Sequence, residues 1–297
     1  MQTILVPIDF TPASENALVY ANKLALRLPA EIVLVHSSAG ALVLAEKHAA
    51  LLQRLKALAE RLRYQQLTRQ SGRRISYHYH VSAEPLAEGL EVLVVGYCAN
   101  LVVAGRTLND CATAPAAGAL PALLPERVSC PVLLVPPGRP TLPSRVVVSG
   151  DFSRLFPRHL AQLPGLARVS GAHFDLVQFH APTSAGLTPL KKALISARNH
   201  FADAAVHLLP EEDALEDLSE FCARQEAQLL VLATTDGCLV RRFFNPHYTK
   251  TNAYHLRIPV LMLPTSTEPT PACCASCQLR QVAESRLQAD ISMAPFI

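Results

Sequence analysis

The chain has 297 residues, of which 50% are hydrophobic and 17% charged, so it can build packed cores and is not a disordered protein. Its 27 basic and 24 acidic residues give a formal charge of +3, which excludes the concentrated positive field of a nucleic-acid or anionic-membrane binder. The N-terminal stretch lacks a basic region and is too short in apolar residues for a signal peptide, and no apolar run approaches a membrane span, so we expect a cytosolic protein.

Short runs of Val, Ile and Leu alternate with longer amphipathic stretches, which predicts a parallel sheet covered by helices on both faces. In the first half the predicted strands are Gln2–Ile8, Glu31–His36, Ile75–Val81, Leu101–Ala104 and Pro131–Val135. Thr11 is the expected N-cap of the first helix, with Pro12 at its first position. The later predicted helices are Leu44–Gln66, Pro85–Gly96 and Ala114–Arg127.

The second half repeats this ladder. Its predicted strands are Arg145–Ser149, His173–Phe179, Ala205–Leu209, Leu229–Leu232 and Pro259–Leu263. Asp151 follows Asp9 by 142 residues, His180 follows His36 by 144, and the segment from Val260 follows the segment from Val132 by 128. A repeat of this length indicates two copies of one domain rather than a solenoid.

The domain boundaries follow from the repeat and from composition. We predict a first domain over 1–138, a second over 144–264, and a disordered tail over 265–297. The linker Pro137–Pro143 contains three prolines and a glycine, which suits an exposed joint. The tail carries Cys273, Cys274 and Cys277, which we interpret as reactive thiols without the fourth ligand of a zinc site.

Ligands of a doubly wound sheet bind outside the carboxyl ends of its strands. Three loops of the first half should meet there, at Asp9, at His36–Ser37 and at Gly105. An Asp can accept from an adenine amine or a ribose hydroxyl, and glycines let the backbone approach a phosphate. The alternative is that Asp9 starts a helix and Gly105 serves only turn geometry and close packing. No phosphate-binding P-loop motif occurs.

The first half resembles the universal stress proteins in the segments Ile4–Leu18, Ile32–His36, Leu101–Gly105 and Ser129–Pro136, and the second half matches them in the same order. The resemblance implies an α/β protein of two tandem flavodoxin/Rossmann-like domains. Each would be a five-stranded parallel sheet of order 3-2-1-4-5 with helices on both faces. It also implies that the two domains pair through their last strands as an intramolecular pseudo-dimer.

Members of this family that bind ATP carry a glycine motif after the fourth strand, and this motif falls on Gly105, Leu108, Gly118 and Ala119. The first copy thus keeps two glycines. In the second copy the motif falls on Ala233, Asp236, Pro246 and His247, so its phosphate cradle is lost. The resemblance implies an ATP site, with Mg²⁺ accompanying ATP, formed by these first-copy residues: Pro7, Ile8, Asp9, Ser37, Ala104, Gly105, Thr107, Gly118, Ala119 and Leu120.

The expected function is a non-catalytic, cytosolic stress-response module that binds an adenine nucleotide in its first domain. A nucleotide-free scaffold for protein interaction and a weak ATPase are the alternatives. No nucleophile with a neighbouring base is evident, so no catalytic residue is predicted. His78 and His80 share a strand face, but we expect satisfied imidazoles there rather than a metal site. The protein partner is unknown, and a homodimer is left open.

Overall fold

A computed structural model describes most of both halves of the chain. The described residues are 2–38, 45–66, 74–106, 128–138, 141–153, 171–181, 187–201, 203–210, 213–233, 254 and 257–263. The predicted helix Ala114–Arg127, the tail cysteines and the second-copy positions Asp236, Pro246 and His247 lie outside these residues.

The first half forms parallel strands joined by helices. The strands are β1 (Gln2–Pro7), β2 (Ala30–Ser37), β3 (Tyr77–Ser82), β4 (Leu101–Gly105) and β5 (Val132–Val135). The helices are α1 (Pro12–Arg27), α2 (Ala45–Gln66) and α3 (Leu86–Gly96). The strands are ordered β3-β2-β1-β4-β5, which is the predicted order, and all pairs among them are parallel.

The second half repeats this order. Its strands are β6 (Arg145–Gly150), β7 (His173–His180), β8 (Ala204–Pro210), β9 (Leu229–Ala233) and β10 (Val260–Met262). Its described helices are α4 (Leu187–Arg198) and α5 (Ala214–Arg224). The order β8-β7-β6-β9-β10 mirrors that of the first half, so the predicted α/β class is confirmed for both halves.

One continuous sheet of ten strands joins the halves, because β5 and β10 pair side by side. This pair is antiparallel, and Leu133 lies opposite Leu261. The two leucines are 128 residues apart, which is the repeat offset of this part of the chain. Each last strand therefore meets its own counterpart, as the two subunits of an isologous dimer would.

Apolar side chains cover both faces of the sheet, and each face holds residues of both halves. One face packs against α1, α2 and α4 through residues such as Leu18, Leu55 and Leu194. The other packs against α3 and α5 through residues such as Leu90 and Phe221. The strands read as continuous apolar runs because both of their faces are buried in this way.

The pairing of β7 corrects one landmark of the repeat. Leu5 pairs with Val33 in the first half and Val147 pairs with Asp175 in the second, so the offset across these two strands is 142 throughout. The position of His36 is consequently taken by Gln178, not by His180. Both strands have eight residues, but β7 begins and ends one residue later in the register than β2, so its last residue, His180, lies two positions beyond the counterpart of His36.

Candidate functional site

The turn between β1 and α1 places an exposed carboxylate at the carboxyl end of the central strand. Asp9 Oδ1 accepts hydrogen bonds from the Thr11 backbone N–H at 2.9 Å and from the Thr11 hydroxyl at 2.6 Å. Partial burial opposes the charge, but hydrogen bonds from Ser14 and Thr11 outweigh it and lower the pKa of Asp9 below its usual value. Asp9 is thus held as an anion in a fixed orientation.

The end of β2 lies beside this turn. His36 Nδ1 is 2.7 Å from the Ile8 carbonyl oxygen, which can accept only if that nitrogen carries the proton. Ser37, the next residue, donates from its hydroxyl to the Glu84 carbonyl at 2.6 Å. Both side chains therefore tie β2 to its neighbours at the edge where a ligand of this fold would bind.

Gly105 ends β4 against the start of α1. A Cβ atom at Gly105 would lie 2.2 Å from the Ala13 carbonyl oxygen and 2.8 Å from the Ser14 nitrogen, so no larger residue fits. Packing alone therefore requires glycine here, which was the alternative weighed for this position. The contact also brings the end of β4 to the same helix start that Asp9 and Thr11 form.

The described part of the predicted site is assembled at one edge of the sheet. Its members are the buried Pro7, Ile8 and Ala104, the exposed Asp9, and the half-buried Ser37 and Gly105. The remaining predicted members, Thr107, Gly118, Ala119 and Leu120, lie outside the described residues. The geometry thus joins the β1, β2 and β4 contributions, and the glycine motif beyond Arg106 stays a prediction.

A stacked cluster of Phe10, His36 and Arg54 also lies at this edge. Phe10 has a φ of 62°, which is rare for a residue other than glycine. Its ring lies 4.8 Å from the His36 ring, and the Arg54 guanidinium lies over it at 3.9 Å. Sequence analysis missed this cluster because Arg54 belongs to α2, far along the chain. A basic residue on the first half of that helix was the only local signal.

The second half keeps the turn but changes its surroundings. Asp151 Oδ1 accepts from the Ser153 backbone N–H at 3.0 Å and from the Ser153 hydroxyl, as Asp9 does from Thr11. The buried Gln178 amide donates to the same oxygen at 3.3 Å. A Cβ atom on Gly150 would lie 2.0 Å from the Ala233 carbonyl oxygen, so these strand ends are in close contact. The second half thus repeats the aspartate turn of the first half and adds a donor from β7 to its carboxylate.

A buried carboxylate between histidines distinguishes the second half further. Asp175 is 2% exposed and accepts from His207 Nε2 at 2.9 Å, with His173 Nε2 4.0 Å away. His173 Nδ1 in turn contacts Asp203 at 3.0 Å. The first half has Val33 at the register position of Asp175. The alternation of His173 and Asp175 along β7 was a visible signal that sequence analysis did not use.

Each of the two β3 histidines that were considered as metal ligands has a polar partner. His78 contacts Glu31 at 3.2 Å, and His80 accepts from or donates to the Tyr97 hydroxyl at 3.3 Å. Burial and the nearby His48 lower the pKa of His80. Within the described ranges, no group of three or more His, Cys, Asp or Glu side chains is placed to hold a metal ion. None of the helices in those ranges is long and apolar enough to cross a membrane.

Comparison with known proteins agrees with this architecture. Residues 1–136 match the family model described as the universal stress protein family. A universal stress protein from Archaeoglobus fulgidus DSM 4304 superposes with a TM-score of 0.63 at 12% identity, covering 90% of this chain and 97% of that one. A putative universal stress protein from Pseudomonas aeruginosa UCBPP-PA14 gives 0.54 at 17% identity, covering 89% and 93%. No curated protein sequence matches the chain.

Proposed function

Because residues 1–136 of this chain match the universal stress protein family, we propose that the chain is a non-catalytic stress-response module that binds an adenine nucleotide in its first half. ATP, accompanied by Mg²⁺, is the proposed ligand, and the cytoplasm is the proposed location. Nucleotide binding would change the surface of the module that a protein partner recognises.

The observation that carries this proposal is the oriented Asp9 carboxylate. It lies at the carboxyl end of the central strand β1, next to the ends of β2 and β4, where ligands of doubly wound sheets bind. Thr11 occupies only Oδ1, and Asp9 itself is exposed. An ionised carboxylate so held can accept a hydrogen bond from a ribose hydroxyl or an adenine amine.

The contacts of the second half favour a structural role for that half, without a nucleotide. Its Asp151 oxygen receives the Gln178 amide in addition to Ser153. Its Gly150 and Ala233 backbones close on each other. Asp151 is therefore held by a donor from the neighbouring strand β7, whereas the donors to Asp9, Thr11 and Ser14, belong to its own turn and to the start of α1. We therefore assign the nucleotide to the first half alone.

The packing of Gly105 favours a second candidate, a scaffold that binds proteins without a nucleotide. Gly105 is required by its contact with Ala13, so its presence does not by itself indicate a phosphate nearby. A weak ATPase is the third candidate, and it needs a group that activates water. Phosphate release measured in the binding experiment separates it from the other two.

Differential scanning fluorimetry with millimolar ATP and Mg²⁺ tests the proposal. We expect ATP to raise the melting temperature of the wild type by about 2–4 °C, the shift given by a ligand at roughly ten times its Kd. Asp9→Ala should abolish the shift. Asp151→Ala, which removes the same turn from the second half, should retain it.

The contrary outcomes are distinct. A wild type that ATP does not stabilise would exclude the nucleotide site and leave the scaffold as the remaining candidate. A shift that Asp151→Ala abolishes and Asp9→Ala retains would move the site to the second half. Release of several equivalents of phosphate per protein would make the protein an ATPase.

A further inference from the structure

The glycine motif that follows β4 departs from the family pattern at positions that would bind a phosphate. Gly105 is explained by its packing against Ala13, and Leu108 and Ala119 stand where the family motif has glycine and a hydroxyl residue. A leucine side chain hinders close approach of a ligand to the backbone, and an alanine side chain has no hydroxyl to donate. The motif is therefore incomplete in this chain, and a basic side chain elsewhere at this edge can supply a donor that the motif lacks.

Phe10 provides a rigid platform on the opposite side of β1. Its left-handed backbone is strained for a residue with a Cβ atom, and such strain persists only where the surroundings impose it. His36 fixes one side of the ring, and His36 is itself anchored on the Ile8 carbonyl. The ring also packs against the buried core on the α1 and α2 face. Phe10 is thus held beside Asp9 with little freedom to move.

Arg54 is stacked on this platform, and its situation differs from that of other arginines on α2. Arg61 pairs with Glu15 at 2.6 Å, and Arg63 pairs with Glu60. In the described part of the chain no carboxylate lies within 4 Å of the exposed Arg54 guanidinium, whose contact is the Phe10 ring. Stacking uses the face of a guanidinium and leaves its N–H donors in the plane available for an anion.

We infer that Arg54 holds the phosphate of the bound nucleotide from the β2 side of the site. This inference rests on the nucleotide binding proposed above. The planar, preoriented guanidinium matches phosphate oxygens and loses little side-chain freedom on binding. Asp9 lies between the two sides and accepts the ribose hydroxyls, since its negative charge disfavours the phosphate itself.

Isothermal titration of the full chain with adenosine and with AMP tests the inference, because the two ligands differ by one phosphate. We expect Arg54→Gln to weaken AMP binding by about tenfold, the effect of losing a charge-assisted hydrogen bond, and to change adenosine binding by less than about twofold. Lys56→Gln removes an exposed charge two residues away and should change neither. Arg54→Lys, which keeps the charge without the planar fork, should recover part of the loss.

The outcomes separate this inference from the proposed function. If ATP does not stabilise the wild type and neither adenosine nor AMP binds to it, the proposed function fails and the inference fails with it. If ATP stabilises the wild type but neither adenosine nor AMP binds, only the inference is overturned. If the wild type binds AMP and Arg54→Gln binds it equally well, or loses adenosine to the same extent, only the inference is overturned. Unchanged far-UV circular dichroism and melting temperature in the variants show that the fold is intact.

Discussion

Gly105 and Gly150 each lie in a close backbone contact within their own half. Gly105 faces the Ala13 carbonyl across the start of α1, whereas Gly150 faces the Ala233 carbonyl across neighbouring strands. In each half, therefore, one glycine at the carboxyl end of a strand is required for packing. The glycine ends β4 in the first half and β6 in the second. At this scale a glycine in a ligand motif and a glycine in a packing contact look the same in the sequence.

Gly105→Ala should lower the free energy of unfolding by about 1–3 kcal/mol, because the added methyl group overlaps the Ala13 carbonyl. Gly96→Ala is the matched control. Its Cβ would meet nothing within 4 Å at the end of α3, so this change should be neutral or slightly stabilising. Urea denaturation measures both, and equal stability of Gly105→Ala and the wild type would show that the backbone can relax.

The turn that starts α1 is the element that couples the fold to the candidate site. Thr11 caps the helix by accepting from the Ser14 N–H, and it also donates twice to Asp9. One residue thus satisfies the first turn of the helix and orients the carboxylate. The same pattern recurs at Asp151 and Ser153, so the turn belongs to the repeat rather than to the site alone.

Thr11→Ala should cost about 1 kcal/mol at neutral pH, as the loss of an N-cap does. It should also raise the pKa of Asp9, whose hydrogen bonds hold it below 3.8. A lowered pKa gives stability that is complete above the unfolded value of about 4 and disappears as the pH falls through the lower folded value. The variant should therefore lose less stability on acidification than the wild type.

Thermal unfolding between about pH 2 and pH 6, with an NMR titration of Asp9, measures this effect. Thr11→Ser keeps the hydroxyl and should behave like the wild type. A Thr11→Ala protein with an unchanged Asp9 titration would show that Ser14 alone, which also donates to Asp9, controls the carboxylate.

Across the whole molecule, the pairing of β5 with β10 makes one sheet from two copies. Leu133 and Leu261 are 3% and 4% exposed and belong to the same core cluster. Opposite residues of an antiparallel pair are close enough for their side chains to interact. The middle of the sheet is therefore a backbone junction between the halves, and buried apolar side chains of both halves lie there.

Leu133→Ala and Leu261→Ala should each cost about 2–4 kcal/mol, since each truncates a buried leucine. Because opposite positions of an antiparallel pair lie close together, we expect the two costs not to add, with an interaction energy of about 0.5–2 kcal/mol in the double variant. Chemical denaturation of the four proteins gives the cycle. Strict additivity would mean that the two leucines contact the core but not each other.

Sequence reasoning recovered the strands because continuous Val, Ile and Leu runs have few other stable arrangements than a doubly covered parallel sheet. The strands Gln2–Pro7 and Leu229–Ala233 end within one residue of their predicted ends. It also placed Asp9 and Thr11, whose contact is local. It could not predict the contact of Arg54 with Phe10, or that His180 lies two positions beyond the counterpart of His36. Both depend on how distant elements pack. For Gly105 the sequence left both ligand binding and close packing open, and the Ala13 contact shows the packing role.

The covalent link between the halves has an evolutionary consequence that follows from the self-matched pairing of Leu133 with Leu261. In a dimer of identical subunits, every mutation appears twice, and an altered ligand edge is altered on both sides. Here one copy can lose its ligand site and still pair its last strand with β5. The covalent link gives that strand an effective concentration that dilution cannot lower. Asp175 in place of a valine and Gln178 in place of a histidine are changes that such a chain can accumulate on one side only. Two copies in one chain can therefore form an asymmetric pair, which a dimer of identical subunits cannot.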